Sequence, residues 1–114
     1  MNKHLVGKEK EDLAVEFLGR HGIEVIERNY SCRTGEVDII AVEGDTLVFI
    51  EVKYRSSLKY GYPEENVDLR KQKKICSTAI FYISSHHYDG KIRFDVISIV
   101  PDRIKLIRNA FSYI

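Results

Sequence analysis

The stretch that most constrains the fold runs from residue 35 to residue 53, where two apolar segments flank a short polar turn. Residues 37–42 and 47–52 are rich in β-branched side chains, and the turn between them contains Gly44. Two such runs joined by a short glycine-containing turn predict a β-hairpin. Three ionisable residues, Asp38, Glu51 and Lys53, interrupt the apolar pattern. The sequence therefore predicts a central hairpin with charged side chains at an unusual position.

The length of the turn sets the register of this hairpin. With a two-residue loop at 44–45, or a four-residue loop at 43–46, Val42 faces Leu47 and Asp38 lies opposite Glu51. Because side chains alternate along a strand, Lys53 then shares the face of Glu51. A three-residue loop would slip the register by one residue, and the pattern disfavours it. The other face is predicted to be wholly apolar and consists of Val37, Ile39, Ala41, Val48, Ile50 and Val52.

Two carboxylates that face each other across a sheet repel unless one is protonated or a cation lies between them. A divalent metal such as Mg²⁺ takes oxygen ligands from one or two carboxylates and completes its shell with water and phosphate. A neighbouring lysine can stabilise charge that develops on a phosphate. The alternative is that Asp38, Glu51 and Lys53 lie at a solvated end of the hairpin. The pairing by itself leaves both interpretations open.

Length and composition exclude several classes of protein. The chain has 114 residues, of which 44% are hydrophobic and 31% charged, and this predicts a single globular domain over residues 1–114. No apolar run approaches the roughly 20 residues of a membrane span, so we expect a cytoplasmic protein with no membrane segment. Cys32 and Cys76 have neither disulfide-framework nor zinc-site spacing. The net charge of +1 means that nucleic-acid binding would depend on a local basic patch.

Hydrophobic periodicity predicts the remaining elements. Apolar residues at helical spacing predict a helix over 8–21, with Glu11 at the edge of its apolar stripe. We expect a strand over 23–30, a turn over 31–35, a loop over 54–63, a helix over about 64–84, a strand over 91–100 and a short pairing strand over 104–107, followed by an apolar tail. The fold class is therefore α/β, a mixed central sheet of four to five strands flanked by helices. The first three strands form an antiparallel meander, and the helical crossover predicts a parallel pairing for the fourth.

Four basic residues near the hairpin are candidates for contacts with nucleic-acid phosphates. Arg55 and Lys59 lie in the loop after the hairpin, and Lys71 and Lys74 lie in the second helix. A solvated helix face is the alternative for the two lysines. For Glu11 the alternative is an acid in the first turn of a helix, where the helix dipole favours it.

A series of short motifs extends over nearly the whole chain: Gly7-x-x-x-Glu11, Arg28-Asn29-Tyr30, Gly35-Glu36-Val37-Asp38, Phe49-Ile50-Glu51-Val52-Lys53-x-Arg55, Gly61-x-Pro63 and Arg93-Phe94-Asp95-Val96. In this order and at these separations the motifs resemble the YraN-like family of small bacterial proteins. That family is itself similar to archaeal Holliday-junction resolvases within the PD-(D/E)xK nuclease superfamily. The resemblance implies a restriction-endonuclease-like core with the order αβββαβ plus a short C-terminal strand.

The resemblance also implies a metal-dependent endonuclease that hydrolyses phosphodiester bonds in DNA, including branched or structured DNA. Asp38 and Glu51 would be ligands of Mg²⁺ or Mn²⁺, together with the backbone carbonyl of Val52. Lys53 would orient or activate the attacking water, and Glu11 matches a helical glutamate of the resolvases. A homodimer is implied because a four-way junction offers two symmetric cleavage positions.

Other functions are compatible with the same residues. One alternative is a catalytically weak or inactive nucleic-acid-binding module of the same fold. Another is a structural or interaction protein with a solvated hairpin end. Val37 stands where the superfamily motif has proline, but this departure removes no catalytic group.

Overall fold

A computed structural model describes residues 3–55 and 67–112, and these residues form one five-stranded sheet with a helix on each face. The elements are α1 (Lys3–Arg20), β1 (Glu24–Cys32), β2 (Gly35–Glu43), β3 (Thr46–Tyr54), α2 (Leu69–Ser85), β4 (Lys91–Val100) and β5 (Arg103–Phe111). The strands lie in the order β1-β2-β3-β4-β5. β1, β2 and β3 form an antiparallel meander, β4 is parallel to β3, and β5 is antiparallel to β4. The predicted α/β class, the meander and the parallel crossover pairing are confirmed.

Each face of the sheet is buried by one helix. Ala14 and Leu18 of α1 pack on one face, and Ile75, Ala79 and Tyr82 of α2 pack on the other. Strands buried on both faces are expected to be almost continuously apolar, and the second half of β4 is buried at every residue. A charged side chain in the central strands therefore needs a specific partner.

The register of the central hairpin is as predicted. Val42 pairs with Leu47, and Ile39 pairs with Ile50 at the last regular position of the β2–β3 ladder. Gly44 begins the two-residue turn with φ 60°, a left-handed conformation that glycine adopts without strain. The tight turn thus fixes the register of the two strands. In this register Asp38 and Glu51 are the next pair of residues beyond Ile39 and Ile50.

The predicted apolar face is correct at five positions and wrong at one. The five residues that pack on the α1 side are Ile39, Ala41, Val48, Ile50 and Val52. Val37 instead packs in the core beneath α2. Its partner in β1 is Tyr30, whose ring lies edge-on to Tyr82 of α2 at a centroid distance of 5.1 Å. Alternation therefore breaks between Val37 and Ile39, and Asp38 lies at this change of face.

A left-handed residue in β1 accounts for the break. Asn29 has φ 52° and lies at the level of Asp38 in the β1–β2 pairing. Arg28, on one side of it, contacts α1, whereas Tyr30, on the other side, packs against α2. A strand residue outside the β region changes the direction of the side chains that follow it, and asparagine tolerates the left-handed conformation better than most residues. The two strands therefore change face together.

The ends of three elements differ from the prediction. α1 begins at Lys3 rather than residue 8, because Gly7, a weak helix former, obscures the first turns. β1 continues to Cys32, so the predicted turn over 31–35 shrinks to residues 33–34. β5 extends over Arg103–Phe111, so most of the predicted apolar tail is strand, with Phe111 paired to Phe94 of β4.

The second helix begins later than predicted. Residues 64–66 lie outside the described ranges, and α2 starts at Leu69. Asp68 is its N-cap, since its Oδ1 accepts a hydrogen bond from the backbone N–H of Lys71 at 2.9 Å. No helix within residues 3–55 and 67–112 is long and apolar enough to cross a membrane.

The motif at residues 93–96 has a structural explanation. Asp95 is fully buried, and its two carboxylate oxygens accept hydrogen bonds from Arg93, each at 2.8 Å. The backbone N–H of Asn109, which has φ 54°, also donates to Asp95 at 2.8 Å. Arg93 and Arg108 both bind Glu43 at the end of β2. These charges tie the edge strand β5 to β2 across the sheet and satisfy a carboxylate that burial would otherwise destabilise.

Candidate functional site

The two carboxylates of the hairpin lie where the regular β2–β3 ladder ends. Asp38 Oδ2 accepts a hydrogen bond from the backbone N–H of Val52 at 2.8 Å, so a side-chain contact continues the pairing of the two strands. Glu51 is buried, with 6% of its surface exposed, and Asp38 is half-buried. The structure brings these two side chains together at the position that the hairpin register indicated.

The pKa of Glu51 reflects this position. Burial, followed by repulsion from the Asp38 carboxylate, raises the pKa of Glu51 from 4.5 to about 8. Lys71 acts in the opposite direction. Glu51 therefore holds its proton more tightly than an exposed glutamate does, unless a cation takes the place of that proton.

Lys71 of α2 is the basic partner of Glu51. Its Nζ lies 3.0 Å from Glu51 Oε1. Partial burial is the largest single influence and lowers the pKa of Lys71, but the contact with Glu51 and the attraction to Asp38 and Asp68 together outweigh it, so the net shift is upward. Sequence reasoning placed Lys71 among the phosphate contacts and missed this ion pair. The missing information was the packing of α2 on the sheet, which brings together residues 20 positions apart.

The second carboxylate oxygen of Glu51 has a different environment. Within the part of the chain that the structure describes, Glu51 Oε2 is buried and has no hydrogen-bond partner. A buried oxygen without a partner is destabilising, and a metal ligand is one role that accounts for it. No group of three or more His, Cys, Asp or Glu side chains suited to a metal occurs among the described residues. The carboxylates of Asp38 and Glu51 are oxygen donors of the kind that Mg²⁺ and Mn²⁺ prefer, and these ions retain several water ligands.

Glu11 lies in a second charged cluster, between α1 and β1. Its Oε1 accepts hydrogen bonds from Arg28 Nε at 2.7 Å and from Asn29 Nδ2 at 3.0 Å. Asp12 also accepts from Arg28, at 2.5 Å. Hydrogen bonds to Asp12 and Glu11 raise the pKa of Arg28. Glu11 thus points toward the sheet, and Asn29 connects it to the level of Asp38.

A cleft of about 760 Å³ extends from the Glu11 cluster to Asp38 and Val52 of the hairpin. It is lined by Gly7, Lys8, Lys10, Glu11, Arg28, Asn29, Asp38, Val52 and Tyr54. The ring of Tyr54 is 40% exposed, and Lys10 Nζ lies 4.7 Å from its centroid. Three cations and an accessible ring in one cleft are the groups that contact phosphates and bases. The sequence motifs include Gly7, Arg28 and Asn29, but a site role was predicted only for Glu11 and the hairpin residues, because the packing of α1 and β1 beside the hairpin is not visible in the sequence.

The remaining candidate residues are dispersed. Lys53 is half-buried in β3, two positions beyond Glu51, and pairs with Ser98 of β4. Arg55 directly follows β3, and its backbone N–H donates to Ile99 O at 3.0 Å. Lys74 is exposed on α2. Lys59 lies outside the described residues.

Among solved structures, the chain is similar to Hjc of Archaeoglobus fulgidus, a Holliday junction resolvase from an archaeal hyperthermophile. The TM-score is 0.52 at 17% sequence identity, and the match covers 86% of this chain and 72% of that chain. A likeness at this level of identity concerns the fold. It confirms the resolvase-like arrangement of a mixed sheet flanked by helices.

Relatives found by sequence comparison are much more similar to this chain than Hjc is. A UPF0102 protein of Persephonella marina is 50% identical over 107 residues, which cover 93% of this chain and 92% of that protein. A UPF0102 protein of Lachnoclostridium phytofermentans is 42% identical over 114 residues, with coverage of 98% and 97%. Residues 10–99 match the profile of Uncharacterised protein family UPF0102. The resemblance to the YraN-like proteins is thereby confirmed, and the chain belongs to the family UPF0102.

Proposed function

We propose that this protein is a metal-dependent endonuclease that hydrolyses phosphodiester bonds in DNA. The observation that carries the proposal is the pair of Asp38 and buried Glu51, in which Glu51 Oε2 has no hydrogen-bond partner among the described residues. A fold that needs no cation there would gain stability from an apolar residue in place of Glu51. The arrangement is therefore better explained by a function than by stability.

Each residue of the site has a chemical role in this proposal. Asp38, Glu51 and the Val52 carbonyl would hold Mg²⁺ or Mn²⁺. When bound, such an ion lowers the pKa of a coordinated water and withdraws charge from a phosphate. Lys53 would hold the attacking water or stabilise the charge that develops on the phosphate. Glu11 would orient the groups of the cleft through Arg28 and Asn29.

The cleft beside Asp38 supports a nucleic-acid substrate. Lys8, Lys10 and Arg28 line it together with Asp38, so phosphates attracted by these cations would lie next to the candidate metal ligands. This local concentration of positive charge compensates for a net charge of only +1.

Branched DNA is the substrate class that we propose within this activity. The support is the fold shared with Hjc, which is described as a Holliday junction resolvase. A four-way junction has two symmetric strands to cut, and a two-fold homodimer would match that symmetry. We therefore include a homodimer in the proposal.

The direct test is cleavage of labelled linear duplex, single-stranded, flapped and four-way DNA in the presence of Mg²⁺ or Mn²⁺. We expect cleavage by the purified protein and a loss of at least about a hundredfold in Asp38→Asn, Glu51→Gln and Lys53→Ala. Glu36→Gln is the matched control, because Glu36 is an exposed carboxylate on the same strand as Asp38. It should cut as the natural protein does.

Two results would contradict this assignment. Cleavage that persists unchanged in all three site variants would identify a contaminating nuclease. Binding of DNA without any cleavage, over all four substrates and both metals, would favour the nucleic-acid-binding module instead.

A further inference from the structure

The ion pair between α2 and the hairpin has an asymmetric environment. Lys71 Nζ lies 3.0 Å from Glu51 Oε1, but the lysine side chain is 51% exposed and the glutamate side chain only 7% exposed. The ammonium therefore reaches a buried carboxylate from solvent. It can withdraw by rotation of its flexible stem, whereas Glu51 is held by the strand.

A divalent cation and the Lys71 ammonium compete for the same charge. In the arrangement observed, the Lys71 ammonium lies 3.0 Å from Glu51 Oε1 and partly neutralises that carboxylate. A cation bound by the carboxylates of Asp38 and Glu51 would lie within a few ångströms of the ammonium. Like charges at such a separation repel strongly even near a protein surface, so both cannot occupy their best positions.

We propose that Lys71 is an exchangeable counter-ion, which holds Glu51 until a divalent cation binds, and is then released to contact a phosphate of the nucleic acid. This inference rests on the proposed metal site. It adds that metal binding and substrate binding are linked through one lysine of α2. Lys71 belongs to the first turn of α2, so its ammonium would lie beside the site once it is released.

The first measurement is calorimetric titration of Mg²⁺ in the absence of DNA, at about pH 9, which is above the pKa of Glu51. We expect Lys71→Met to bind Mg²⁺ about tenfold more tightly than the natural protein, because the competing charge is gone. Lys71→Arg keeps the charge and should restore the natural affinity. Lys73→Met is the matched control, since Lys73 is exposed on the same helix and its removal should change the affinity little.

The outcomes separate this inference from the proposed function. If the natural protein binds no Mg²⁺, the metal site itself is wrong and the exchange fails with it. If it binds Mg²⁺ and Lys71→Met binds with equal or lower affinity, the metal site stands and the exchange is overturned. A gain of similar size in Lys73→Met would also overturn it, because the effect would then be one of general charge.

The release of Lys71 from Glu51 is measured separately. Binding of a four-way DNA is measured by fluorescence anisotropy over a range of salt concentrations, with Ca²⁺ in one series and a chelator in the other. In Ca²⁺, Lys71→Met should lower the slope of the salt dependence by about one phosphate contact. In chelator the slope should not change, because Lys71 is then bound to Glu51. An equal change in both series, or no change in either, would overturn the release.

Discussion

Replacing Glu51 with glutamine should stabilise the metal-free protein at alkaline pH. Burial and the Asp38 carboxylate raise the pKa of Glu51 from 4.5 to about 8, whereas the unfolded chain leaves it near its usual value. The folded state therefore binds the Glu51 proton more tightly than the unfolded state. The contribution of Glu51 to stability is greatest below the unfolded pKa and falls as the pH rises from about 4.5 to about 8.

The size of the effect follows from the two pKa values. The interval from 4.5 to about 8 corresponds to at most about 5 kcal/mol, at ~1.4 kcal/mol per pH unit. The ionic attraction to Lys71 is already contained in this interval, because it lowers the pKa of Glu51. We expect Glu51→Gln to raise the free energy of unfolding by about 2–4 kcal/mol at about pH 9 and to change it much less at about pH 5.

The assay is chemical denaturation in the presence of a chelator, at several pH values between these two. The chain has no tryptophan, so unfolding is followed by far-ultraviolet circular dichroism. Glu36→Gln is again the control, because it removes an exposed carboxylate of the same hairpin. The reasoning is refuted if the natural protein and Glu51→Gln lose stability in parallel as the pH rises, or if the variant is the less stable of the two at about pH 9.

Three further predictions concern the scaffold of the site. Hydrogen bonds from Arg108 and Arg93 lower the pKa of Glu43 to about 2. The stability that ionised Glu43 contributes is therefore present above about pH 4.5 and is lost as the pH falls toward 2. Glu43→Gln should therefore lower the free energy of unfolding at neutral pH by about 1–2 kcal/mol, after allowance for solvent screening, and flatten the acid limb of denaturation measured against pH. Asp68→Ala should cost about 1 kcal/mol in urea denaturation, because it removes the N-cap of α2. Phe94→Ala should cost about 3–5 kcal/mol in the same measurement, because the ring is 2% exposed.

Specific results would contradict these three predictions. An unchanged acid limb in Glu43→Gln would mean that the ion pairs with the two arginines contribute no stability. Full stability in Asp68→Ala would mean that the start of α2 is held by tertiary packing alone. A cost below about 1 kcal/mol in Phe94→Ala would mean that the core beneath α2 closes over the cavity.

The hairpin was predictable because its determinants are local. Gly44 favours a tight turn, and the alternation of side chains around it admits only one register. The same reasoning explains why the helix between β3 and β4 predicted a parallel pairing, since such crossovers are strongly constrained in handedness and position. Element ends were less predictable. The start of α2 depends on the cap at Asp68, and the length of β5 depends on its pairing with β4.

The candidate site was predictable only in part. Asp38 and Glu51 could be placed near each other from the hairpin alone. The face of Val37 could not, because it depends on the left-handed conformation of Asn29 in the neighbouring strand. The contact of Glu51 with Lys71 likewise depends on how α2 packs against the sheet.

By itself, the sequence determined the hairpin, its register, the order of the elements and the family, because these depend on short-range patterns and motifs. Only the tertiary structure decided the electrostatic environment of Glu51. Burial by the sheet and α2, the nearby Asp38 carboxylate and the Lys71 ammonium act on it together. Charges interact through space, over distances set by the packing of whole elements. Their balance at Glu51 is therefore a property of the fold, and no single stretch of the sequence contains it.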